Sequence, residues 1–226
     1  MSNIKNIFNN LKLDLDNGKL QGKITITLAE IDCIITGKDA VGSMVEEWFF
    51  AWATLNGHKV EKNDKSQKFP DYFVPNNSGN KELLDIKSFN IIRDPGFDAA
   101  DAYAFADMLL NDISKIDAVY IIFGYLLDDN GVLIIKEIWS KKIWELVGKS
   151  EENYVTSQIR AAGENHSEGK LQKLRPYSFH KPESKDNRFN TALEFLEELQ
   201  KLYDYNNGTK IIYRDWLTKI KKLLPP

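Results

Sequence analysis

Two apolar segments that carry charged residues in their middle constrain the fold of this chain more than any other feature. Residues 69–74 read FPDYFV, residues 82–89 read ELLDIKSF, and the turn-forming segment 76–80 (NNSGN) lies between them. Two such runs joined by a short polar segment predict a β-hairpin, with a proline only at the start of its first strand. Unpaired charges are costly to bury, so these must pair or line a cleft. They belong to Asp71, Asp85 and Lys87.

The spacing of two of these charges gives them a common direction. Asp85 and Lys87 lie two residues apart on a predicted strand, so both side chains project from the same face. The acid-x-lysine pattern of residues 85–87 is by itself weak evidence for a functional site. Residues 168–170 and 183–185 show the same pattern in polar sequence, which we interpret as solvent-exposed surface. What distinguishes residues 85–87 is the apolar run around them. The alternative is a structural charge cluster on a solvent-facing sheet.

Two carboxylates and an amine on adjacent strands predict a magnesium site. Mg²⁺ binds oxygen ligands, keeps several waters and shares the phosphate oxygens of a substrate, and we expect Mn²⁺ to substitute for it. Asp71 and Asp85 would hold the ion, with the main-chain carbonyl of Ile86 as an additional ligand. Lys87 would orient the attacking water, and would take its proton if burial lowered the pKa of the amine. The pattern therefore predicts metal-assisted hydrolysis of a phosphodiester.

An amphipathic segment, residues 38–56, precedes the hairpin and predicts a helix that stops at Gly57. Its flanks carry two acids, Glu46 and Glu47, at about equal distance from the centre of the apolar stripe. Helical geometry therefore does not choose between them, and whichever is not in the site is an ordinary surface glutamate. The stripe consists of Val41, Val45, Trp48, Phe49 and Trp52.

The other elements predict an α/β fold in which helices flank a mixed β-sheet. Residues 1–23 predict a short amphipathic helix, and residues 23–31 a strand or the lead-in to a helix. The chain after the hairpin is expected to form a helix over 98–111, a central buried strand over 118–127, a turn at 129–131, a strand over 132–139, a short helix over 141–147, an irregular polar segment over 149–188, and helices over 188–203 and 211–224.

Composition limits the class of protein and its compartment. The chain has 226 residues, 42% of them hydrophobic, which suits a single domain with a sizeable core. The net charge of −3 excludes a histone-like polycation, so nucleic acid must be bound by a local basic surface. The single cysteine, Cys33, is expected to be buried in its apolar setting. No segment predicts a signal peptide or a membrane span, so we expect a cytoplasmic protein without a membrane partner.

These motifs resemble the hallmark of the PD-(D/E)XK nuclease superfamily, in which a helix before the hairpin supplies a further acid. The spacing of Gly42 and Glu46 is similar to one common superfamily pattern and favours Glu46 over Glu47. More narrowly, residues 24–148 resemble the NgoBV-type restriction endonucleases, in the segments EEWFFAW, FPDYF, LLDIKSF, FGYLLDDNGV and IWSKKIWELVG.

The resemblance implies a restriction-endonuclease-like mixed sheet flanked by helices. It implies one endonuclease domain over residues 1–226, with a catalytic core at about 24–148 and a DNA-recognition and helical part at about 149–226. The implied protein is a Mg²⁺-dependent type II restriction endonuclease that acts as a homodimer on a short palindrome in double-stranded DNA, of the GGNNCC kind. A cognate DNA methyltransferase would be its genetic partner. Residues 149–226 contribute nothing to the resemblance.

Residues 170–188 form the candidate surface for DNA. They contain six basic and two acidic residues, with aromatic residues between them. Phosphate contacts, and a guanine contact by Arg175, are the functional interpretation, and a solvated basic loop is the alternative. The candidates are Lys173, Arg175, Tyr177 and Lys181, with Lys141 and Lys142 for further phosphates and Ser88 and Asn90 near the cut.

Two other functions compete with restriction. A repair or junction nuclease of the same superfamily is disfavoured by the size and the low basicity of this chain. A non-catalytic DNA-binding module is disfavoured by the intact Asp71, Asp85 and Lys87, because a degenerate site would be free to lose such costly charges.

Overall fold

The structure, a computed structural model, describes residues 3–37, 40–64, 69–76, 79–160, 171–206 and 215–224. The chain divides into two compact units. The first comprises residues 1–95 and 118–141, and the second comprises residues 96–117 and 142–226. The single endonuclease domain expected from the sequence stays a prediction beside this division.

Helices and strands follow one another along the described ranges, in which no helix is long and apolar enough to cross a bilayer. The helices are α1 (Asn3–Asp16), α2 (Val41–Leu55), α3 (Ala102–Asn111), α4 (Ile143–Leu146), α5 (Ala192–Asn206) and α6 (Trp216–Leu223). The strands are β1 (Gln21–Lys23), β2 (Thr25–Leu28), β3 (Ile31–Ile34), β4 (Glu61–Lys62), β5 (Tyr72–Pro75), β6 (Lys81–Asn90), β7 (Ala100–Asp101), β8 (Val119–Leu127), β9 (Val132–Lys142), β10 (Lys149–Ser150), β11 (Tyr154–Val155), β12 (Ser157–Arg160) and β13 (Leu171–Leu174).

A six-stranded mixed sheet forms the centre of the first unit, in the order β1-β9-β8-β6-β5-β4. β5 and β6 pair antiparallel, with Tyr72 opposite Leu84, so the predicted hairpin is confirmed. β6 and β8 pair in parallel, with Lys87 beside Ile122. β6 therefore has a strand on each side, and the expected central position of β8 is confirmed.

Two amphipathic helices of this unit bury the apolar faces that the sequence predicts. α1 buries Ile4, Ile7 and Leu11. α2 buries Val41, Val45, Phe49 and Trp52, whereas the fifth residue of the predicted stripe, Trp48, is 38% exposed. Helix α2 begins at Val41, and the first residues of the segment predicted as helical, 38 and 39, lie outside the described residues.

The prediction that Cys33 is buried is wrong, because its thiol-bearing side chain is exposed. Cys33 lies in β3, which pairs only with β2 in a two-stranded hairpin. Every residue of both strands is exposed, although the sequence there is apolar. An apolar setting in sequence therefore does not imply burial when no other element covers the strand.

Helices α3, α5 and α6 pack together in the second unit. The hydroxyl of Tyr203 donates a hydrogen bond to the carbonyl of Ala102 at 2.5 Å, and the indole of Trp216 donates to the carbonyl of Ala106 at 3.0 Å. Both donors are buried, so these bonds fix α5 and α6 to α3. The two C-terminal helices expected from the sequence are present, but α5 begins at Ala192 instead of residue 188 and α6 begins at Trp216. Residues 211–214 lie outside the described residues.

Residues 149–188 are not irregular throughout, contrary to the sequence prediction. They contain the short strands β10 to β13 and a 3₁₀-helix, Pro182–Asn187. Strands β12, β13 and β7 form a three-stranded sheet. Each of these strands has only two to four residues, too few for an alternation of apolar and polar positions to be visible in the sequence.

Two predicted helices are shorter than expected. Residues 98–101 do not belong to α3, because Asp101 lies in β7 and its carboxylate caps the helix by accepting from the amide of Ala104 at 2.9 Å. Lys141 and Lys142 end β9 instead of starting α4. The carboxylate of Glu145 accepts from the amide of Lys142 at 2.7 Å, which sets the first turn of α4 after Lys142.

Truncation of a core aromatic residue of α2 tests this packing. Phe49 is fully buried and its ring centre lies 5.5 Å from that of Tyr72 in β5. We expect Phe49→Ala to lower the free energy of unfolding by about 3–5 kcal/mol, measured by urea denaturation. Leu55→Ala is the control on the same helix, because Leu55 is 87% exposed, and it should change that free energy by less than about 0.5 kcal/mol. Equal losses would contradict this packing.

Candidate active site

The end of the β5–β6 pairing creates the local geometry of the candidate site. The ladder stops at Tyr72 opposite Leu84, so β5 offers no main-chain partner to the amide of Ile86. Asp71, the residue before β5, supplies that partner with its side chain, whose Oδ2 accepts from the Ile86 amide at 2.9 Å. The carboxylate of Asp71 is thereby held against the strand that carries Asp85.

The three charged residues singled out in the sequence lie together. The Nζ atom of Lys87 lies 2.5 Å from Oδ2 of Asp85 and 3.8 Å from Oδ2 of Asp71. The side chain of Asp85 is only 4% exposed, while those of Lys87 and Asp71 are 23% and 22% exposed. The cluster therefore opens to solvent on the side of Lys87 and Asp71, with Asp85 at its base.

Burial sets the protonation of Asp85. It raises the pKa of this carboxyl from an ordinary 3.8 to about 7; the lysine at position 87 opposes that shift and the charge of Asp71 adds to it. Apart from the ion pair with Lys87, Oδ2 of Asp85 has no hydrogen-bond partner among the described residues, although it is buried. Such an oxygen is stabilised by a nearby positive charge.

The amine of Lys87 is held in its charged form. Burial alone would lower its pKa, but the carboxylates of Asp85 and Asp71 outweigh burial and the pKa is raised above 10.5. Lys87 would act as a proton acceptor only if its pKa were lowered, and this arrangement raises the pKa instead. Lys87 supplies a fixed positive charge at the mouth of the cluster.

The two candidate acids of α2 have different surroundings. Glu46 is half-buried, and burial together with the charge of Asp71 raises the pKa of its carboxyl, while Lys87 lowers it. The side chain of Glu47 is 69% exposed and its carboxylate lies 2.6 Å from Nζ of Lys62. Glu46 is therefore within electrostatic reach of the cluster, and Glu47 forms an ion pair at the surface.

Two tyrosines that sequence reasoning missed support the site. The hydroxyl of Tyr72 donates to the carbonyl of Glu46 at 3.0 Å, which fixes α2 beside β5. Tyr120 pairs with Asp85 in the ladder between β6 and β8, and burial with the charge of Asp85 raises the pKa of this phenol well above its usual range. The sequence signal for both was a phenolic hydroxyl inside an apolar run.

The donor chemistry of the cluster fits a hydrated oxygen-binding cation. Among the described residues, no group of three or more His, Cys, Asp or Glu side chains is close enough to enclose a metal ion. Two carboxylates, one of them with a buried oxygen paired only by Lys87, suit an ion such as Mg²⁺, which retains water and shares substrate phosphate oxygens. The amide of Ile86 is used by Asp71, and the role of its carbonyl as a ligand stays a prediction.

Comparison with known proteins identifies the family. The family model described as NgoBV restriction endonuclease matches residues 1–223. The chain belongs to the NgoBV restriction endonuclease family.

Individual relatives agree with this assignment. The type II restriction enzyme NlaIV of Neisseria lactamica is 29% identical over 212 residues, which cover 92% of this chain and 84% of that protein. The type II restriction enzyme NgoBV of Neisseria gonorrhoeae is 35% identical over 136 residues, 58% of this chain and 77% of that protein. A solved structure of the NlaIV restriction endonuclease superposes with a TM-score of 0.84 at 27% identity, over 96% of this chain and 86% of that one.

Family membership confirms the main expectations from the sequence. The protein is a type II restriction endonuclease, a site-specific deoxyribonuclease that acts on double-stranded DNA. The restriction-endonuclease-like mixed fold with flanking helices is confirmed by the NlaIV structure. Enzymes of this type generally need a divalent metal ion, which agrees with the carboxylates of the cluster.

The residues predicted to touch DNA near the cut lie at the end of β6. Ser88 follows Lys87, and its hydroxyl oxygen is buried without a hydrogen-bond partner among the described residues. The side-chain oxygen of Asn90 accepts from the amide of Ile92 at 3.2 Å and so shapes the turn after the strand. Contact of either residue with DNA stays a prediction.

The basic residues of the candidate DNA surface are largely engaged within the second unit. Nη1 of Arg175 lies 2.9 Å from the carboxylate of Asp98, and the guanidinium also donates to the side chain of Gln158 and the carbonyl of Gly96. Nζ of Lys173 lies 3.2 Å from the carboxylate of Asp101. A guanine contact by Arg175 would require these bonds to be exchanged.

The other candidates of this surface differ in exposure. Tyr177 is 8% exposed, with its ring against Gly148. Lys181 is half-buried just before the 3₁₀-helix, and Lys142 donates to the main-chain carbonyl of Asp117. Lys141 is half-buried in β9. Lys170, like residues 168 and 169, lies outside the described residues.

The raised pKa of Asp85 predicts a particular pH dependence of stability. Between pH 3.8 and about 7 the folded state holds a proton on Asp85 that the unfolded state releases, so this residue makes the free energy of unfolding fall as pH rises. We expect the difference between wild type and Asp85→Asn to change in that direction between about pH 4 and 7 in chelator, measured by urea denaturation.

The matched control removes a carboxylate from an exposed turn. Asp129→Asn should differ from the wild type by an amount that does not vary over the same pH range, because Asp129 is exposed. A pH-independent difference for Asp85→Asn as well would show that Asp85 does not titrate as its burial requires.

Proposed function

We propose that this restriction endonuclease hydrolyses DNA phosphodiester bonds in a Mg²⁺-dependent reaction at the cluster of Asp71, Asp85 and Lys87. The observation that carries the proposal is the placement of two carboxylates within 4 Å of one charged amine, with one of the carboxylates buried. Mn²⁺ is proposed to substitute for Mg²⁺, because it accepts the same oxygen ligands.

Asp71 and Asp85 are the proposed metal ligands. When bound, Mg²⁺ would polarise the scissile phosphate and lower the pKa of a coordinated water. Asp71 contributes a carboxylate whose orientation is fixed by the amide of Ile86, so little reorganisation is needed to accept a ligand. Asp85 contributes the buried oxygen that Lys87 alone contacts, and its ionisation is favoured by any added positive charge. The carbonyl of Ile86 is the proposed third oxygen.

Lys87 is proposed to act on the phosphate and the attacking water through its charge. Its amine stays protonated beside the two carboxylates, so it donates hydrogen bonds to oxygens that become more negative during the reaction. With about a quarter of its side chain exposed, Lys87 can reach a substrate at the mouth of the cluster without leaving Asp85.

Glu46 is the proposed additional acid of the site. The half-buried carboxyl of Glu46 interacts electrostatically with Asp71 and Lys87. The Tyr72 hydroxyl donates a hydrogen bond to the main-chain carbonyl of Glu46, which fixes this part of α2. In this position Glu46 would supply a further acceptor beside a hydrated metal ion held by Asp71 and Asp85. Glu47 is proposed to be a surface residue in an ion pair with Lys62.

The proposed target is a short palindrome of the GGNNCC kind, on the strength of the family resemblance. A palindrome is read by a two-fold dimer, so we propose a homodimer, in the cytoplasm, with a cognate DNA methyltransferase that protects the host site. The catalytic core at about 24–148 and the recognition part at about 149–226 follow from the same resemblance.

Contacts with the DNA backbone are proposed for Lys141, Lys142, Lys173, Lys181, Ser88 and Asn90, and phosphate or base contacts for Arg175 and Tyr177. For Lys142 and Lys173, phosphate binding requires exchange of the Asp117 carbonyl or the Asp101 carboxylate for a phosphate. Arg175 has the bidentate geometry that guanine needs, and it would exchange Asp98 for the base.

Digestion of unmethylated phage DNA tests the proposed chemistry. The wild type should give discrete fragments with Mg²⁺ and none with a chelator, and the ends of the fragments define the target. Asp71→Ala, Asp85→Ala and Lys87→Ala should each lower the cleavage rate by at least about 100-fold, because the first two remove proposed metal ligands and the third removes a positive charge near the phosphate.

Binding and folding controls complete this test. The three variants should keep their circular dichroism spectra and bind the target duplex in Ca²⁺ within about tenfold of wild type, because base contacts lie elsewhere. Asp129→Ala, in an exposed turn, should cleave normally. Near-normal cleavage by Asp71→Ala or Asp85→Ala would place the active site somewhere else.

The two acids of α2 give a separate prediction. Glu46→Gln should slow cleavage by at least about tenfold, because it removes a charge next to the cluster, and Glu47→Gln should leave the rate within about twofold, because Glu47 forms only an exposed ion pair. Single-turnover rates at saturating Mg²⁺ give the comparison. Equal effects of the two substitutions would contradict the assignment of Glu46 to the site.

A further inference from the structure

The hairpin of β2 and β3 has one apolar and one polar face. Ile26 pairs with Cys33, and Leu28 pairs with Ile31. Residues that pair across two antiparallel strands lie on the same face, and so do residues two positions apart along one strand. This face, which we call the apolar hairpin face, therefore consists of Ile26, Leu28, Ile31 and Cys33. Leu28 and Ile31 are 72% and 71% exposed, and Ile26 is 39% exposed.

The opposite face of the same hairpin is largely polar. It contains Thr25, Thr27 and Asp32, together with Ile34. The hydroxyl of Thr27 donates to the carboxylate of Asp32 at 2.7 Å across the two strands. This is the reverse of the arrangement expected for a hairpin whose outer face meets only water.

The root of the hairpin is fixed to the main sheet. The amide of Ile35 donates to the carbonyl of Ile24 at 2.8 Å, which closes the hairpin just before β2. A side chain added at Gly131, in the turn between β8 and β9, would lie 2.3 Å from a methyl carbon of Ile34. The hairpin therefore packs against the sheet at its root and presents Leu28 and Ile31 at its outer end.

A pocket of about 320 Å³ lies beside the root of the hairpin. Ile24 and Thr25 belong to both the pocket wall and the hairpin. The remaining wall is mostly apolar, with Lys19 and Lys23 among the lining residues, and its other apolar residues are Leu20, Met44, Val45, Trp48, Leu133 and Ile135. Ile24 of the pocket wall lies two residues before Ile26 of the apolar hairpin face, so the pocket lies beside that face. Exposed apolar surface of this kind marks interaction sites on folded proteins.

We propose that the apolar hairpin face binds the same face of a second copy of this chain and is the dimer interface. The inference rests on the proposed function, because a palindrome cut on both strands requires two active sites related by a two-fold axis. An interface on such an axis must be self-complementary, and a face made of apolar residues alone satisfies this without matched charges.

The charges at the two ends of the hairpin select the orientation. Glu30 lies in the turn at the tip with φ 65°, and Lys23 lies at the root; both are exposed and neither forms an ion pair within the described part of the chain. If the tips met each other, two Glu30 carboxylates would repel. If the hairpins pack antiparallel, the tip of each reaches the root of the other, and Glu30 of one copy meets Lys23 of the other.

The antiparallel orientation also supplies the area that a stable dimer needs. Four side chains cover less than the about 800 Å² that each partner buries in a typical interface. With tip over root, Leu28 and Ile31 of one copy also reach the pocket beside the root of the other, where Trp48 is 38% exposed. The pocket wall and the hairpin are then buried together.

Measurement of molar mass in solution tests the interface. Size-exclusion chromatography with light scattering should give a dimer for wild type at micromolar concentration. Leu28→Lys should weaken the dimer by at least about 100-fold, because it puts a charge into the centre of an apolar interface on both copies. Thr27→Lys is the matched control: it adds the same charge at the adjacent residue on the polar face and should leave the dimer intact, and both variants should keep the thermal unfolding profile of wild type.

A charge exchange tests the orientation. Lys23→Glu and Glu30→Lys should each weaken the dimer by roughly tenfold, and the two substitutions together should restore it, because attraction between tip and root is re-established with the signs reversed. Failure of the double variant to recover would overturn the antiparallel arrangement.

The outcome for the interface is separable from the outcome for catalysis. A wild type that is monomeric, or a dimer that Leu28→Lys does not affect, would overturn the interface and leave another protein or DNA as the occupant of the face, even if the enzyme cleaves DNA. A dimer that depends on Leu28 but does not cleave would uphold the interface and overturn the proposed chemistry.

Discussion

The hydrogen bond from the amide of Ile86 to the carboxylate of Asp71 is the interaction on which the candidate site depends. It occurs where the β5–β6 ladder ends and β5 no longer supplies a main-chain carbonyl to the amide of Ile86. The side chain of Asp71, the residue before β5, accepts from this amide instead. The bond holds the Asp71 carboxylate near Asp85, although the two negative charges repel each other. The position of the acid pair thus follows from main-chain hydrogen bonding, and Lys87 then offsets the charge that results.

The balance of charges within the cluster explains why one acid is so strongly perturbed. Asp71, Asp85 and Lys87 together carry more negative than positive charge, and Asp85 lies deepest, so the cost of burial falls mainly on its ionised form. Lys87 cannot remove this cost, since its single charge is shared between two carboxylates at 2.5 Å and 3.8 Å. A divalent cation and the phosphate that accompanies it would change the balance, because the cation favours ionised carboxylates and the phosphate gives Lys87 a second partner. An arrangement that costs stability in the free protein would then favour binding of metal and substrate together.

The sequence predicted the parts of the fold in which a residue type conflicts with its surroundings or follows a long period. Asp85 and Lys87 inside LLDIKSF indicated a strand with a functional face, and the stripe of α2 indicated a helix on the sheet. The prediction that Cys33 is buried was wrong, because the sequence shows only the local apolar pattern. Whether another element covers a strand is decided by tertiary structure. Strands β10 to β13 were missed because they are too short to show a period. Helical geometry left Glu46 and Glu47 undecided, and the preference for Glu46 came from the family resemblance. The structure adds that Glu46 lies within electrostatic reach of Asp71 and Lys87, whereas Glu47 pairs with Lys62 at the surface.

One sheet connects the proposed dimer contact to the catalytic strand. The hairpin leaves β1 directly, and β1 is separated from β6 by β9 and β8 in the same sheet. Three strand spacings amount to roughly 14 Å, a distance that hydrogen-bonded strands hold nearly constant. If two copies meet through their hairpins, the separation of their two active sites is set by this sheet and by the hairpin root, where Ile34 packs against the turn at Gly131. The spacing between the two cuts on a palindrome would then be a property of the rigid part of the fold, while the choice of bases would depend on other residues.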